Sequence, residues 1–243
     1  MLVLTADYHT HTRFSHGKGD IEDNVRAARA LGLRTIGITD HGYGHLGYGI
    51  RKRDLPLMRD QIGLLRERYP DVEILLGVEA NILDTQGTLD VDEADLKHLD
   101  ILLAGYHFGS SPAGWNALML HGANFLARTG IGLERARELN TQAFCMAMTR
   151  YPVNILTHPG AKGPVDIAAV AAVAAQRGVW LEINAHHGYL TREQLESAAR
   201  YDVRFVISSD AHHPQHVGSC DAGLKRALEA GVDPERLVNY RME

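Results

Sequence analysis

The chain has 243 residues, only two of them cysteines, and no CxxC pair. Cys145 and Cys220 are too few to form a disulfide scaffold at this length, so a reducing, cytoplasmic location is expected. No stretch approaches 18 consecutive apolar residues, and the first residues lack the charged and apolar regions of a signal peptide. We therefore expect neither a membrane span nor an export signal.

The sequence also lacks an excess of positive charge. The formal net charge is -5 with the histidines neutral, and no basic stripe dominates. A protein that binds nucleic acid through its phosphates usually has such an excess, which disfavours nucleic acid as the partner. No GxGxxG motif follows the first predicted strand, and no GxxxxGK[ST] motif occurs. The usual signatures of a nucleotide-binding open sheet are therefore missing.

Histidine, in contrast, is abundant. The fourteen histidines are spread from His9 to His216, whereas an affinity tag would place them at one terminus. Histidine is the commonest metal ligand among the side chains, so this composition directs attention to a metal site.

Short apolar runs alternate with helical patterns about seven times. Runs rich in Val, Ile and Leu predict strands buried on both faces of a parallel sheet. The predicted strands are residues 2–8, 35–39, 72–78, 101–106, 154–157, 179–183 and 204–208. The predicted helices are residues 20–31, 54–69, 115–128, 133–149, 166–176, 191–200 and 222–230. This order predicts an α/β fold, an open sheet or a barrel, in a single domain covering residues 1–243.

Most of the predicted strands are followed directly by a potential metal ligand. In chain order these residues are His9 and His11, Asp40 and His41, Glu79, His107, His158, Asn184, and Asp210 with His212. In an α/β barrel the C-terminal strand ends converge on one face, where active sites are built. Other polar residues have ordinary explanations: Glu182 suits an outward-facing ionised residue, and His186 with His187 a capping or surface pair.

The spacing of the first pair supports this interpretation. On an extended segment, residues i and i+2 point to the same side, so His9 and His11 can reach one metal ion. Asp210 and His212 repeat the spacing at the last strand. Because the first and last strands of a closed barrel are neighbours, the four side chains can face one another.

The complete set of motifs resembles the PHP family, named for polymerases and histidinol phosphatases. The matching segments are HTHT at 9–12, HG at 16–17, ITDHG at 38–42, GVEAN at 77–81, AGYH at 104–107, THPG at 157–160, EIN at 182–184 and SSDAH at 208–212. They span nearly the whole chain. No polymerase module is attached, so the chain looks most like the stand-alone phosphatase branch.

The resemblance implies a distorted (βα)₇ barrel with a trinuclear metal site. One ion would be bound by His9, His11, Glu79 and Asp210, and a second by Glu79, His107 and His158, with Glu79 bridging. The third would be bound by His16, His41 and His212. Of these residues, Glu79, Asp210 and His212 are expected to take part most directly in catalysis.

Imidazole and carboxylate ligands suit Zn²⁺, Mn²⁺ or Fe²⁺. Metal coordination lowers the pKa of water towards about 7, so a metal-bound hydroxide is the expected nucleophile towards a phosphate ester. We expect a small phosphomonoester as the substrate. No Ser or Cys nucleophile is then required, and no convincing GxSxG element is found.

Three alternatives remain at this point. A metal-dependent nuclease, for example a 3'-5' exonuclease, would need a basic groove with stacking side chains. An amidohydrolase needs only a binuclear site, so the third set of histidines disfavours it. A catalytically silent metal-binding domain would be expected to have lost several ligands.

The glycine-rich loop at residues 42–53 has two interpretations. It can be a lid that brings Arg51 or Arg53 onto the substrate phosphate, or the solvated basic start of a helix.

Overall fold

Seven parallel strands form a nearly closed barrel, with helices between consecutive strands. The structure is a computed structural model that describes residues 1–112 and 114–243. The strands are β1 (Leu2–Leu4), β2 (Ala6–Asp7), β3 (Thr35–Ile38), β4 (Glu73–Asn81), β5 (Ile101–Gly105), β6 (Ile155–Leu156), β7 (Trp180–Asn184), β8 (Phe205–Ser208) and β9 (Tyr240–Met242). The described residues form eight α-helices: α1 (Ile21–Ala30), α2 (Asp54–Arg68), α3 (Glu93–Leu96), α4 (Gly114–Ala127), α5 (Leu133–Arg150), α6 (Ile167–Arg177), α7 (Arg192–Ala198) and α8 (Asp221–Glu229).

The strands of the barrel follow chain order from β2 to β8, each parallel to the next. Beyond the ends of β2 and β8, Thr10 and Ala211 form a parallel bridge, and the His11 N–H donates to the Ala211 carbonyl at 2.8 Å. Lower in the seam, the Asn239 amide donates to the carbonyls of Ala6 and Ile207 at 2.8 and 2.7 Å. The predicted (βα)₇ barrel is therefore confirmed, with polar groups closing its seam.

Two apolar clusters hold the barrel together. The larger lies between the sheet and the helices, where α1 buries the stripe of Ile21, Val25 and Ala28. The smaller consists of Ile101, Leu103, Ile155 and Val206. Since alternate residues of a strand share a face, this second cluster lies on the inner face of the barrel, below its polar end.

Several boundaries differ from the sequence prediction. The first predicted strand is broken at Thr5, because β1 pairs with β9 outside the barrel whereas β2 pairs with β3. β4 continues through Asn81, so Glu79 lies inside a strand rather than after it. The short helix α3 was not predicted, while the two helices predicted between residues 108 and 150 are present as α4 and α5.

No helix within residues 1–112 and 114–243 is long and apolar enough to cross a membrane.

Candidate metal centre

The nine predicted ligands lie together at the C-terminal end of the barrel. Four of them, His9, His107, His158 and Asp210, each lie two residues beyond the end of a strand. His107 and Asp210 have the parity of the inward-facing residues Leu103 and Val206, whereas His158 has the parity of Leu156, which packs in the larger cluster outside the barrel. His16 is the most peripheral, because it alone of the nine is exposed, and its ring centroid lies 4.2 Å from that of His212.

Glu79 occupies the middle of this group, and its side chain is fully buried. Both carboxylate oxygens of Glu79 face imidazole nitrogens. Oε2 lies 2.8 Å from His41 Nδ1, 3.3 Å from His9 Nε2 and 3.8 Å from His11 Nε2, and Oε1 lies 2.9 Å from His158 Nε2 and 3.2 Å from His107 Nε2. One carboxylate therefore faces five histidines.

The ligand atoms form three overlapping groups in which all atoms lie within 4.8 Å of one another. The groups are His9–His11–Glu79, His41–Glu79–His107 and His11–His41–His212. They differ from the predicted sets mainly in His41 and His11, each of which belongs to two groups. Of the nine predicted ligands, all of which the structure describes, three belong to none of these groups: His16, His158 and Asp210. The ring of His16 nevertheless stacks on that of His41 at 5.0 Å.

A buried carboxylate outside the predicted ligand set orients two of the histidines. Glu182 has no exposed surface, so its interpretation as an outward-facing residue is wrong. Its Oε1 accepts a hydrogen bond from His9 Nδ1 at 2.6 Å, and its Oε2 accepts one from the His158 N–H at 2.7 Å. Because His9 Nδ1 donates to Glu182, Nε2 is the nitrogen that His9 offers to an ion at the centre. Glu182 shares a face of β7 with Trp180, but alternation alone does not tell which face of a strand buried on both sides is the inner one.

A second chain of hydrogen bonds orients His107. The Asp90 carboxylate accepts from the Asn81 side chain at 2.6 Å, and the Asn81 carbonyl oxygen accepts from His107 Nδ1 at 2.9 Å. The free lone pair of His107 is therefore on Nε2, which faces Glu79. Asp90 follows no strand, so its position in the sequence carried no signal.

Asp40 shapes the loop between His11 and His16 and does not face the centre. Its two oxygens accept hydrogen bonds from Thr12 N and Thr12 Oγ1, each at 2.7 Å, and from Ser15 Oγ at 2.5 Å. The acid that follows the second predicted strand therefore holds a loop in place.

The electrostatics of the centre suit a cation. Burial raises the pKa of Glu79 and of Asp210, but the neighbouring histidines outweigh it and hold both pKa values well below their ordinary range. Burial lowers the pKa of His107 to about 4, which keeps this imidazole neutral and able to coordinate. His11 Nδ1, Glu79 Oε2 and His107 Nε2 are buried without a hydrogen-bond partner among the described residues. Ionised carboxylates with unpaired nitrogen lone pairs are the donor set of a divalent transition metal.

The backbone is strained at two of these positions. His158 and Asp210 have positive φ values of 27° and 53°, unlike the other described non-glycine residues. Such conformations persist where the surroundings impose them, and they cluster at functional sites. Here they turn the side chains inward beyond the ends of β6 and β8.

A cavity of about 1030 Å³ opens over the centre. Its lining includes His158, Asp210 and His212, two lysines, Lys18 and Lys162, and two further histidines, His186 and His187. His187 Nε2 lies 3.4 Å from Asp210 Oδ2. His187 therefore belongs to the cavity wall rather than to a surface pair.

The loop at residues 42–53 contributes Tyr48 to this cavity, and its ring lies 4.1 Å from that of His16. Of the two interpretations of Arg51 and Arg53, the structure favours the solvated start of a helix. Both side chains are exposed at the start of α2, where the Arg51 N–H donates to Asp54 at 2.9 Å. Lys52 between them pairs with Asp92 at 2.5 Å. The arrangement is that of a solvated helix start.

Comparison with known proteins gives concordant matches. A family model described as "PHP domain" matches residues 7–186. A protein of Thermoanaerobacter sp. (strain X514) named "probable phosphatase" is 33% identical over 98% of this chain and 91% of its own length. A protein of Shewanella sp. (strain ANA-3) with the same name is 32% identical over 96% of this chain and 86% of its own.

One solved structure has the same fold over nearly the whole chain. The histidinol phosphate phosphatase of Lactococcus lactis subsp. lactis, solved with zinc, L-histidinol and phosphate, superposes with a TM-score of 0.65 at 16% identity. The match covers 95% of each chain. It therefore includes the region after residue 186, where Asp210 and His212 lie beyond the segment matched by the family model.

Proposed function

Because the chain belongs to the PHP domain family, we propose that this metal-dependent phosphatase hydrolyses small phosphomonoesters at a site of three metal ions. The observation that carries the proposal is the position of Glu79, whose two oxygens face five histidines within 3.8 Å. A carboxylate so placed is suited to bridge two ions. The proposed ligands are His9, His11, His16, His41, Glu79, His107, His158, Asp210 and His212.

Zinc is the ion we propose first, since the Lactococcus lactis enzyme of the same fold was solved with zinc and phosphate. Manganese and iron accept the same nitrogen and oxygen donors. When bound, such ions lower the pKa of water and neutralise the charge that develops on the phosphoryl oxygens.

The chain's own residues supply positive charge for binding the ester, and they leave water rather than a side chain as the nucleophile. Lys18 and Lys162 line the cavity and supply positive charge beside the centre. Ser209 also lines the cavity, but its hydroxyl donates to the buried carboxylate of Asp7. Cys220 is buried, and its thiol donates to the Ile207 carbonyl. Neither side chain is free to attack phosphorus, which supports water as the nucleophile.

A comparison of three substrates tests the reaction class. The kcat/KM of metal-loaded protein is compared for p-nitrophenyl phosphate, bis-p-nitrophenyl phosphate and a single-stranded oligonucleotide, with zinc and with manganese at one salt concentration. We expect the monoester to be preferred, since a net charge of -5 gives little help in binding a long polyanion. Preference for the oligonucleotide would replace this proposal with the nuclease alternative.

A further inference from the structure

A second cavity of about 550 Å³ adjoins the cavity over the metal centre. Lys162 lines both cavities, so its side chain belongs to the wall that they share. A group that leaves the phosphorus atom in the first cavity therefore has a neighbouring space to occupy.

The second cavity is positively charged. Arg128 and Lys162 line it, and none of its described lining residues is acidic. The Arg128 guanidinium lies over the ring of Phe108, 4.9 Å from the centroid, and this contact restricts its position. In a chain of net charge -5, two cations without an acid in one cavity are a local reversal of charge.

Buried amides fix the loop that carries Lys162. Asn124 on α4 and Asn140 on α5 are each 1% exposed and exchange two hydrogen bonds of 2.8 Å. Asn140 also donates to the Pro164 carbonyl at 2.9 Å. At Gly163 a Cβ atom would lie 2.1 Å from Asn124 Oδ1, so glycine is required for this close approach. The helices inserted after β5 therefore build the wall of the second cavity and position Lys162.

We propose that the substrate is a phosphomonoester whose alcohol portion carries a second anionic group, bound between Lys162 and Arg128. This inference rests on the proposed phosphatase function and specifies its substrate class. Carboxylate and phosphate share the required chemistry, since both accept charge-assisted hydrogen bonds from lysine and arginine. Phe108 and Tyr189, which also line the cavity, offer apolar surface to the carbon skeleton.

Matched substrates test the proposal on the full-length, metal-loaded protein. 3-Phosphoglycerate is compared with glycerol 3-phosphate for a carboxylate, and fructose 1,6-bisphosphate with fructose 6-phosphate for a second phosphate. A hydrogen bond to a charged group contributes about 1.5–3 kcal/mol, so kcat/KM should be at least about tenfold higher for the anionic member of a pair. The pair with the larger ratio identifies the anion that the cavity prefers.

Two variants and one control locate the effect. Lys162→Gln and Arg128→Gln should each reduce the ratio within a pair towards one, and 1 M salt should weaken it in the unmodified protein. Arg135→Gln, which removes an exposed arginine of α5, should leave the ratio unchanged. Hydrolysis of all four esters without preference for the anionic members, or a preference that survives in both variants, would overturn the second subsite alone. Failure of metal-loaded protein to cleave any monoester would overturn the phosphatase proposal and this inference with it.

Discussion

The buried carboxylates near the metal centre differ in what their oxygens contact. Glu79 faces only imidazoles, whereas both oxygens of Glu182 accept hydrogen bonds from N–H groups. Asp40 and Asp90 are likewise occupied by hydrogen bonds from backbone and side-chain donors. A carboxylate whose oxygens accept from N–H or O–H donors positions its neighbours, whereas Glu79, which contacts only imidazole nitrogens and has an Oε2 unpaired among the described residues, is available to a cation.

The first prediction concerns the shared carboxylate. Glu79→Ala should reduce kcat/KM by more than about 100-fold. Even a change in a residue that only supports a metal ligand lowers metal affinity or activity by about 10–100-fold. Metal content, measured by elemental analysis, should fall by more than one ion per chain, because Glu79 contacts histidines of two ligand groups. Glu67→Ala on the exposed side of α2 serves as the control. Full metal content with near-normal turnover would disprove the bridging role.

The second prediction separates positioning from coordination. In Glu182→Gln the amide NH₂ would face either His9 Nδ1–H or the His158 N–H, leaving one donor opposed to another. We expect metal affinity or kcat/KM to drop by about 10–100-fold while the fold is retained. Competition with a chromophoric chelator measures the affinity, with Glu193→Gln on the exposed face of α7 as the control. Unchanged metal affinity and unchanged turnover together would show that Glu182 has no positioning role.

At the scale of elements, short strands and tight junctions bring the ligands together. β6 has only two residues, and His158 follows it with a positive φ of 27°. The neighbouring strand β5 ends at Gly105, where a Cβ atom would lie 2.2 Å from Thr157 Oγ1 and 3.3 Å from His158 Cε1. The absence of a side chain at Gly105 therefore leaves room for the next strand's ligand.

The third prediction follows from this contact. Gly105→Ala should lower the free energy of unfolding by about 1–3 kcal/mol through overpacking, and it should lower kcat/KM by displacing His158. Urea denaturation of the metal-free protein measures the first effect. Gly63→Ala in α2 is the matched control: nothing lies within 4 Å of its Cβ, so it should stabilise the helix by about 0.5–1 kcal/mol. Equal stability of the two variants would contradict the packing argument.

For the whole molecule, the metal centre and barrel closure are linked. His9 and His11 follow β2 and Asp210 follows β8, so ions bound among them would tie the two sides of the seam together. The same seam is closed by Asn239 and by the hydrogen bond from His11 N to Ala211 O. Without cations, the ionised Glu79, Glu182 and Asp210 lie close together in a buried space.

The fourth prediction is that purified protein contains more than one transition-metal ion per chain and is stabilised by them. A ligand at 100 times its Kd stabilises a fold by about 2.7 kcal/mol per site, so removal with a chelator should lower Tm measurably. Re-addition of zinc or manganese should restore it, whereas magnesium, a poorer match to imidazole ligands, should not. Only trace metal after reconstitution, or a Tm independent of metal, would contradict the prediction.

The local sequence specifies the alternation of strands and helices, and with it the barrel. Buried parallel strands require continuous apolar runs, and each helix requires an apolar stripe, so both patterns can be read locally. It also determined where the ligand candidates fall. His9, His107, His158 and Asp210 must lie at one end of the barrel because parallel strands end on the same face.

Which polar residues face the centre depends on how the strands and helices pack in three dimensions. A strand buried on both faces does not reveal which side is the inside, so Glu182 could be assigned outward until Trp180, Glu182 and Asn184 were seen to share the inner face. The cations of the second cavity could not be identified from the sequence for a similar reason. Arg51 and Arg53 are near the ligands in sequence, whereas Lys162 and Arg128 are brought to the site by the packing of α4 and α5 against a distant loop. Such contacts join residues far apart in the chain, and no local pattern encodes them.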